Sequence, residues 1–261
     1  MNYELKQYSF GDTIGKGFNL YFDNFVFVVL VSLLCQVPTV LFIRLTKFIK
    51  ASSDPSSIGA GYFGQLMVMI VLSIIEQGFL SAFIIDWISK KFLESSPAIG
   101  KNRITSILPL ILPAIGVSAV VGMAIVFGFL PFIIPGIVIW LGFSLANVVL
   151  VTERRKIGES MTRSWILTKG RKGTMFLFIL VTMLITVGIT QVVLLLLRLG
   201  HLGTELIKYL EYAITAIVDP IQYCIMVVVY FNMRIEKEAF HIEHLAEQFT
   251  LADAPELSVK I

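Results

Sequence analysis

Six apolar runs, each about 20 residues or longer, leave this chain few ways to fold. They fall at Phe25–Leu45, Gly64–Ile88, Ser106–Leu130, Phe132–Val151, Thr174–Arg198 and Leu206–Phe231. A hydrocarbon layer offers no water to peptide groups, so each N–H and C=O must bond within its own segment or in a closed barrel. The runs lack the period-two alternation of barrel strands, which leaves helices. A buried helix of a water-soluble domain would be shorter and would keep a polar stripe. Composition agrees, because only 15% of the 261 residues are charged while 56% are hydrophobic. Globular chains carry about 25% charged residues. The expected fold is therefore an all-α polytopic membrane bundle. It has about six spans and occupies residues 1–249 as one domain, with 250–261 as a polar tail.

The third and fourth runs touch at Phe129-Leu130-Pro131-Phe132-Ile133-Ile134-Pro135-Gly136, where two prolines and a glycine call for a tight turn. One continuous helix of that combined length would reach about 69 Å, too long for a single crossing. The N-terminus lacks a basic start, a short apolar core and a small-residue cleavage site. The first span is therefore expected to stay in the mature protein.

Lysines and arginines set the orientation. Sixteen fall in the segments that lie on the same side as both termini, seven of them between Arg154 and Lys172, and five on the other side. The positive-inside rule makes the first side cytoplasmic. The expected location is thus the cytoplasmic (inner) membrane, with both termini cytoplasmic.

Three segments open alike, at Ile14-Gly15-Lys16, Ile99-Gly100-Lys101 and Ile157-Gly158-Glu159, and each precedes a pair of spans. Ile14, Phe18, Tyr21 and Phe22, and later Ile157, Met161, Trp165 and Leu167, recur at helical spacing among polar residues. Such stretches are expected to lie in the interface, apolar side down and basic side toward anionic headgroups. A threefold repeat of interfacial helix, span, turn and span follows, each unit starting on the same side.

Ionisable groups inside a membrane are costly and mark candidate sites. Glu76 and Asp219 both fall near mid-bilayer, about 18 Å along their spans at helical rise. Gln36, Gln77 and Gln222 lie at comparable depth, and Pro220 frees the carbonyl of Ala216 from its helical bond. One reading makes this layer a proton or cation site, and the other makes it hydrogen-bonding glue between helices. Small pairs four apart, Ser118/Gly122, Ala124/Gly128 and Gly142/Ala146, favour close helix approach. Cys35 and Cys224 read as apolar filler rather than a disulfide. His241, His244 and Glu247 share a polar C-terminal stretch, but the zincin order is absent, so neither a metal nor any other cofactor is expected. No nucleophile–base pair, phosphate loop or dinucleotide fingerprint can be named. The basic loop has no groove-binding motif, so nucleic acid is not an expected partner. Membrane lipids are, and a membrane-protein partner is compatible with the pattern.

The run from Ile133 to Leu141, the stretch Ser160-Met161-Thr162-Arg163-Ser164-Trp165-Ile166-Leu167-Thr168-Lys169-Gly170 and the closing Tyr230–Phe240 share a pattern. With the opening Ser9-Phe10-Gly11-Asp12, they resemble a bacterial multi-pass group. It includes YciC-like inner-membrane proteins and the membrane domain fused to some glycerophosphodiester phosphodiesterases. The resemblance implies six spans and no catalytic site, because the phosphodiesterase residues belong to a separate soluble barrel. The chain departs from the group at Ala239-Phe240-His241, where Gly and then Phe-Asp are usual. Scaffold or accessory component is the preferred reading. A transporter or lipid-handling permease, built on Glu76 and Asp219, is the alternative.

Overall fold

The structure is a computed structural model that describes residues 8–51, 58–93, 101–129, 133–200 and 203–238. His241, His244, Glu247 and the Leu130–Phe132 turn lie outside those residues, as does most of the second Ile-Gly segment. The described chain is helical with no strand. It runs through α1 (Phe10–Asp23), α2 (Phe25–Ala51), α3 (Ile58–Phe92), α4 (Lys101–Phe129), α5 (Ile133–Phe143), α6 (Ala146–Glu153), α7 (Ile157–Thr168), α8 (Lys172–Leu199), α9 (Thr204–Val218) and α10 (Pro220–Glu238). Six stretches are long and apolar enough to cross a membrane: Phe25–Leu45, Phe63–Phe92, Thr105–Phe129, Ile133–Glu153, Lys172–Leu199 and Glu205–Glu238. Side chains such as Leu112 and Ile134 stand 78% and 74% exposed, which makes sense only against lipid. The protein is an all-α multi-pass membrane bundle.

Two of the spans are interrupted. α5 gives way to α6 at Ser144 and Leu145, and α9 to α10 at Asp219. Proline explains the second break, since Pro220 has no N–H to continue the ladder. Broken backbone at membrane depth needs replacement partners, and the two short amphipathic helices supply them. The Ser164 hydroxyl of α7 donates to the Gly142 carbonyl (2.8 Å) and accepts from the Leu145 N–H (3.2 Å). The Tyr21 hydroxyl of α1 donates to the Ile217 carbonyl at 2.6 Å.

These contacts change the role expected of α1 and α7. Their buried residues are Thr13, Gly17, Leu20 and Tyr21 in one and Ser160, Ser164, Leu167 and Thr168 in the other. The side facing protein mixes small, hydroxyl-bearing and apolar groups, and Ile14, Phe18, Ile157 and Met161 pack partly buried against the same core. Lying against broken helices rewards hydrogen-bonding groups over a plain apolar stripe.

Packing gives the repeat a geometric form. The second spans, α3, α5–α6 and α9–α10, touch one another in the middle. Each first span sits outside, against its own partner and the second span of the preceding unit. Thus α2 packs on α3 and α9, α4 on α5 and α3, and α8 on α9 and α5. The amphipathic helices follow the same rule, α7 on α5–α6 and α1 on α10. The pattern closes as an approximate threefold ring of parallel units. α10 is buried almost all round from Cys224 to Arg234. Close approach at single glycines tightens the ring: a Cβ on Gly17 would lie 2.7 Å from the Ile225 Cα, and one on Gly78 2.7 Å from the Ile115 Cα. Lipid removes most of the hydrophobic drive between helices, so such contacts carry the association.

Candidate functional site

Glu76 and Asp219 meet in one chamber. A cavity of about 610 Å³ near the middle of the bundle is lined by α3, α4, the α5–α6 break, α8 and the start of α10. Its polar wall holds Glu76, Gln77, Ser118, Asn147, Thr186, Asp219 and Gln222, and no Lys or Arg is among its lining residues. Ser73 and Gln77 among its lining residues are exposed. α3 and α10 are in contact, so the second and sixth spans do adjoin.

The breaks explain how carboxyl groups come to lie there. Asp219 caps α9, its N–H donating to the Thr215 carbonyl (2.9 Å) and its carbonyl accepting from Gln222 (3.0 Å). The resulting turn puts Asp219 and Gln222 on the same wall. Glu76 is half-buried on continuous α3, where the Thr39 hydroxyl of α2 donates to its Oε2 at 3.2 Å.

Gln36 takes a different position. It is buried, but its amide faces α9, between the Tyr212 carbonyl (2.6 Å) and the Ala216 N–H (3.1 Å) in the orientation that satisfies both. It bridges α2 to α9 and does not line the chamber. Of the four polar-layer residues, Glu76, Asp219 and Gln222 gather and Gln36 stands apart.

Asn147 was not among the sequence candidates, though it interrupts an apolar run. Its Nδ2 donates to the Ser118 hydroxyl (3.1 Å), while its buried Oδ1 has no hydrogen-bond partner among the described residues. Gly122, expected to serve helix packing, has open space where a Cβ would sit and lines the chamber instead.

Toward the termini the chamber is closed by Ile85, Val148, Ile179 and Met226, and beyond them by a charged layer. Glu153, at the end of α6, accepts from the Tyr230 hydroxyl (2.8 Å), Arg155 (2.6 Å) and Arg163 (3.2 Å). Arg234 lies 3.8 Å from Glu153 and donates to Tyr230 (2.9 Å) and Glu238 (3.2 Å), and Arg163 also pairs with Glu238. Burial works against the Arg163 cation, yet Glu153 and Glu238 together hold its pKa above the ordinary value. Lys237 donates to the carbonyls of Ile166 (2.7 Å) and Lys169 (2.6 Å). The stretches Ser160–Gly170 and Tyr230–Glu238 therefore lie directly against each other.

Among the described residues no group of His, Cys, Asp and Glu could hold a metal ion. Cys35 and Cys224 are free thiols. The chamber can accept protons or positive charge, and it offers hydrogen-bond acceptors without a resident cation. Comparison with known proteins finds no matching family model, no matching curated protein and no matching solved structure.

Proposed function

We propose that the chain is a non-enzymatic permease of the cytoplasmic membrane, with both termini cytoplasmic, that takes a proton or a small cationic solute between Glu76 and Asp219. The observation that carries this reading is the chamber itself, which collects two carboxyl groups and several acceptors without a balancing cation. Charged groups at this depth are expensive, and a bundle that only held helices together could use amides instead. The scaffold or accessory role, preferred on sequence alone, gives no use to a space of about 610 Å³ at the midplane. The absence of a nameable nucleophile–base pair supports a non-enzymatic role. Likeness to the YciC-like group belongs to the same proposal. Two of the stretches that carry it form the charged layer that would close the cytoplasmic side.

The test is proton influx into proteoliposomes driven by an acid outside pH, with and without methylammonium as competing cation. Wild type should exceed empty vesicles by about tenfold or more, Glu76→Gln should abolish the excess, and Asp219→Asn should reduce it. Flux equal to empty vesicles, or a Glu76→Gln variant as fast as wild type, rejects the permease reading and returns the scaffold role to first place.

A further inference from the structure

A second space lies on the other side of Glu76. It is a groove of about 360 Å³ between α2 and α3, lined by Val31, Leu34, Pro38, Leu72, Phe79 and Phe83 with Cys35, Thr39, Ile75 and Glu76. Leu34 is 71% exposed at its rim, so the groove opens to the hydrocarbon layer. On α3 the apolar stripe Leu72, Ile75, Phe79 and Phe83 belongs to the groove, while Ser73, Gln77 and Leu80 belong to the chamber. Glu76 alone appears in both linings. It stands in the partition between an apolar slot that faces lipid and a polar chamber inside the bundle.

The polar end of this slot has a definite chemistry. Glu76 offers a carboxylate, and Thr39, which donates to it, has oxygen lone pairs to spare. Pro38 has no N–H, so the Leu34 carbonyl one turn back is denied its helical donor and remains an acceptor. That makes three kinds of oxygen acceptor beside an apolar slot, with no Lys or Arg among the lining residues. A primary ammonium carries three donors and no acceptor, and its charge complements the carboxylate. An anionic head would meet Glu76 and then Asp219, and an alkyl chain alone would leave Glu76 without a counter-charge.

We propose that the substrate class of this site is a single-chain amphiphile with a primary ammonium head. It enters sideways from the bilayer through the α2–α3 groove, with its tail against Phe79 and Phe83 and its head at Glu76. From there the head reaches the chamber, where Asp219 and Gln222 supply further acceptors. The proposal rests on the permease reading of the chamber and adds the tail and the route.

Binding to the full chain in phosphatidylcholine nanodiscs tests it, with dodecylamine, methylammonium and dodecanoate as probes and protein-free discs as the partition baseline. Dodecylamine should bind above baseline, dodecanoate should not, and Glu76→Gln should weaken dodecylamine about tenfold or more. Ile75→Trp fills the slot from a lipid-exposed position. It should weaken dodecylamine about tenfold while leaving methylammonium unchanged, which also shows that the variant is folded. Methylammonium binding that needs Glu76, with dodecylamine indifferent to Ile75→Trp or with dodecanoate bound equally well, overturns the amphiphile proposal and leaves the chamber's role standing. Loss of Glu76 dependence for both amines overturns both.

Discussion

Tyr21 shows how one hydroxyl ties a short helix to a broken span. Burial, reinforced by the neighbouring Cys224, pushes its pKa from the usual 10 to about 12, and its hydroxyl reaches the Ile217 carbonyl at 2.6 Å. A raised folded pKa stabilises the protonated form. The contribution is complete below about pH 10 and is lost as pH rises toward 12. Tyr21→Phe should cost about 1 kcal/mol at pH 8, the net value of one hydrogen bond. Thermal unfolding in detergent should show the gap between wild type and variant closing from pH 10 to 12. A constant gap would mean that the hydroxyl does not stabilise the folded state through its proton. Glu153 is the other sensitive residue, being 4% exposed and contacted by Tyr230, Arg155 and Arg163. Glu153→Gln weakens the charged contacts to Arg155 and Arg163 while Arg234 keeps Glu238, and should cost about 1.5–3 kcal/mol by the same assay. Tyr230→Phe should cost nearer about 1 kcal/mol.

At the level of elements, the breaks at Ser144–Leu145 and Asp219 decide what can sit inside the bundle. Ser164→Ala would leave the Leu145 N–H without its side-chain acceptor and weaken the satisfaction of the Gly142 carbonyl, at about 1–3 kcal/mol. Among the described residues Thr162 bonds only its own helix, at the Gly158 carbonyl, so Thr162→Ala is the control expected to cost little in the same melting experiment. Equal losses would argue against a specific role for α7 at the break. The existence of the spans was legible because length and apolarity are properties of each segment alone; the first was placed at Phe25–Leu45, where the structure has it. The breaks were only half legible. Pro220 announced one, but nothing in Gly142-Phe143-Ser144-Leu145 announces the other, since it depends on a hydroxyl about 20 residues away. The same reason explains the hydroxyl contacts that α1 and α7 make with the breaks, which apolar spacing does not announce. Of the small-residue pairs, Gly128 and Gly142 do make close contacts, against Gly136 and Trp165, while Gly122 makes none.

Across the whole molecule, three similar units close into a ring whose inner members are the second spans. The ring accounts for the gathering of Glu76 with Asp219 and Gln222, which are remote from it in sequence but lie at similar depth on an inner helix. Depth can be counted along a chain, and so this layer could be anticipated. Rotation about each helix axis cannot, which is why Gln36 turned out to face α9 and Asn147 to face the chamber. The same arrangement leaves the charged layer of Glu153, Arg163, Arg234 and Glu238 on the side of the termini. The account stands or falls on water reaching Asn147 from the face opposite the termini. The direct measurement is labelling of an Asn147→Cys variant, with Cys35 and Cys224 changed to Ser, by a membrane-impermeant thiol reagent in sealed vesicles of known orientation. Rapid labelling from the face opposite the termini, slowed by methylammonium, is the expected result. Protection from both faces, or labelling only from the face that carries the termini, would contradict it.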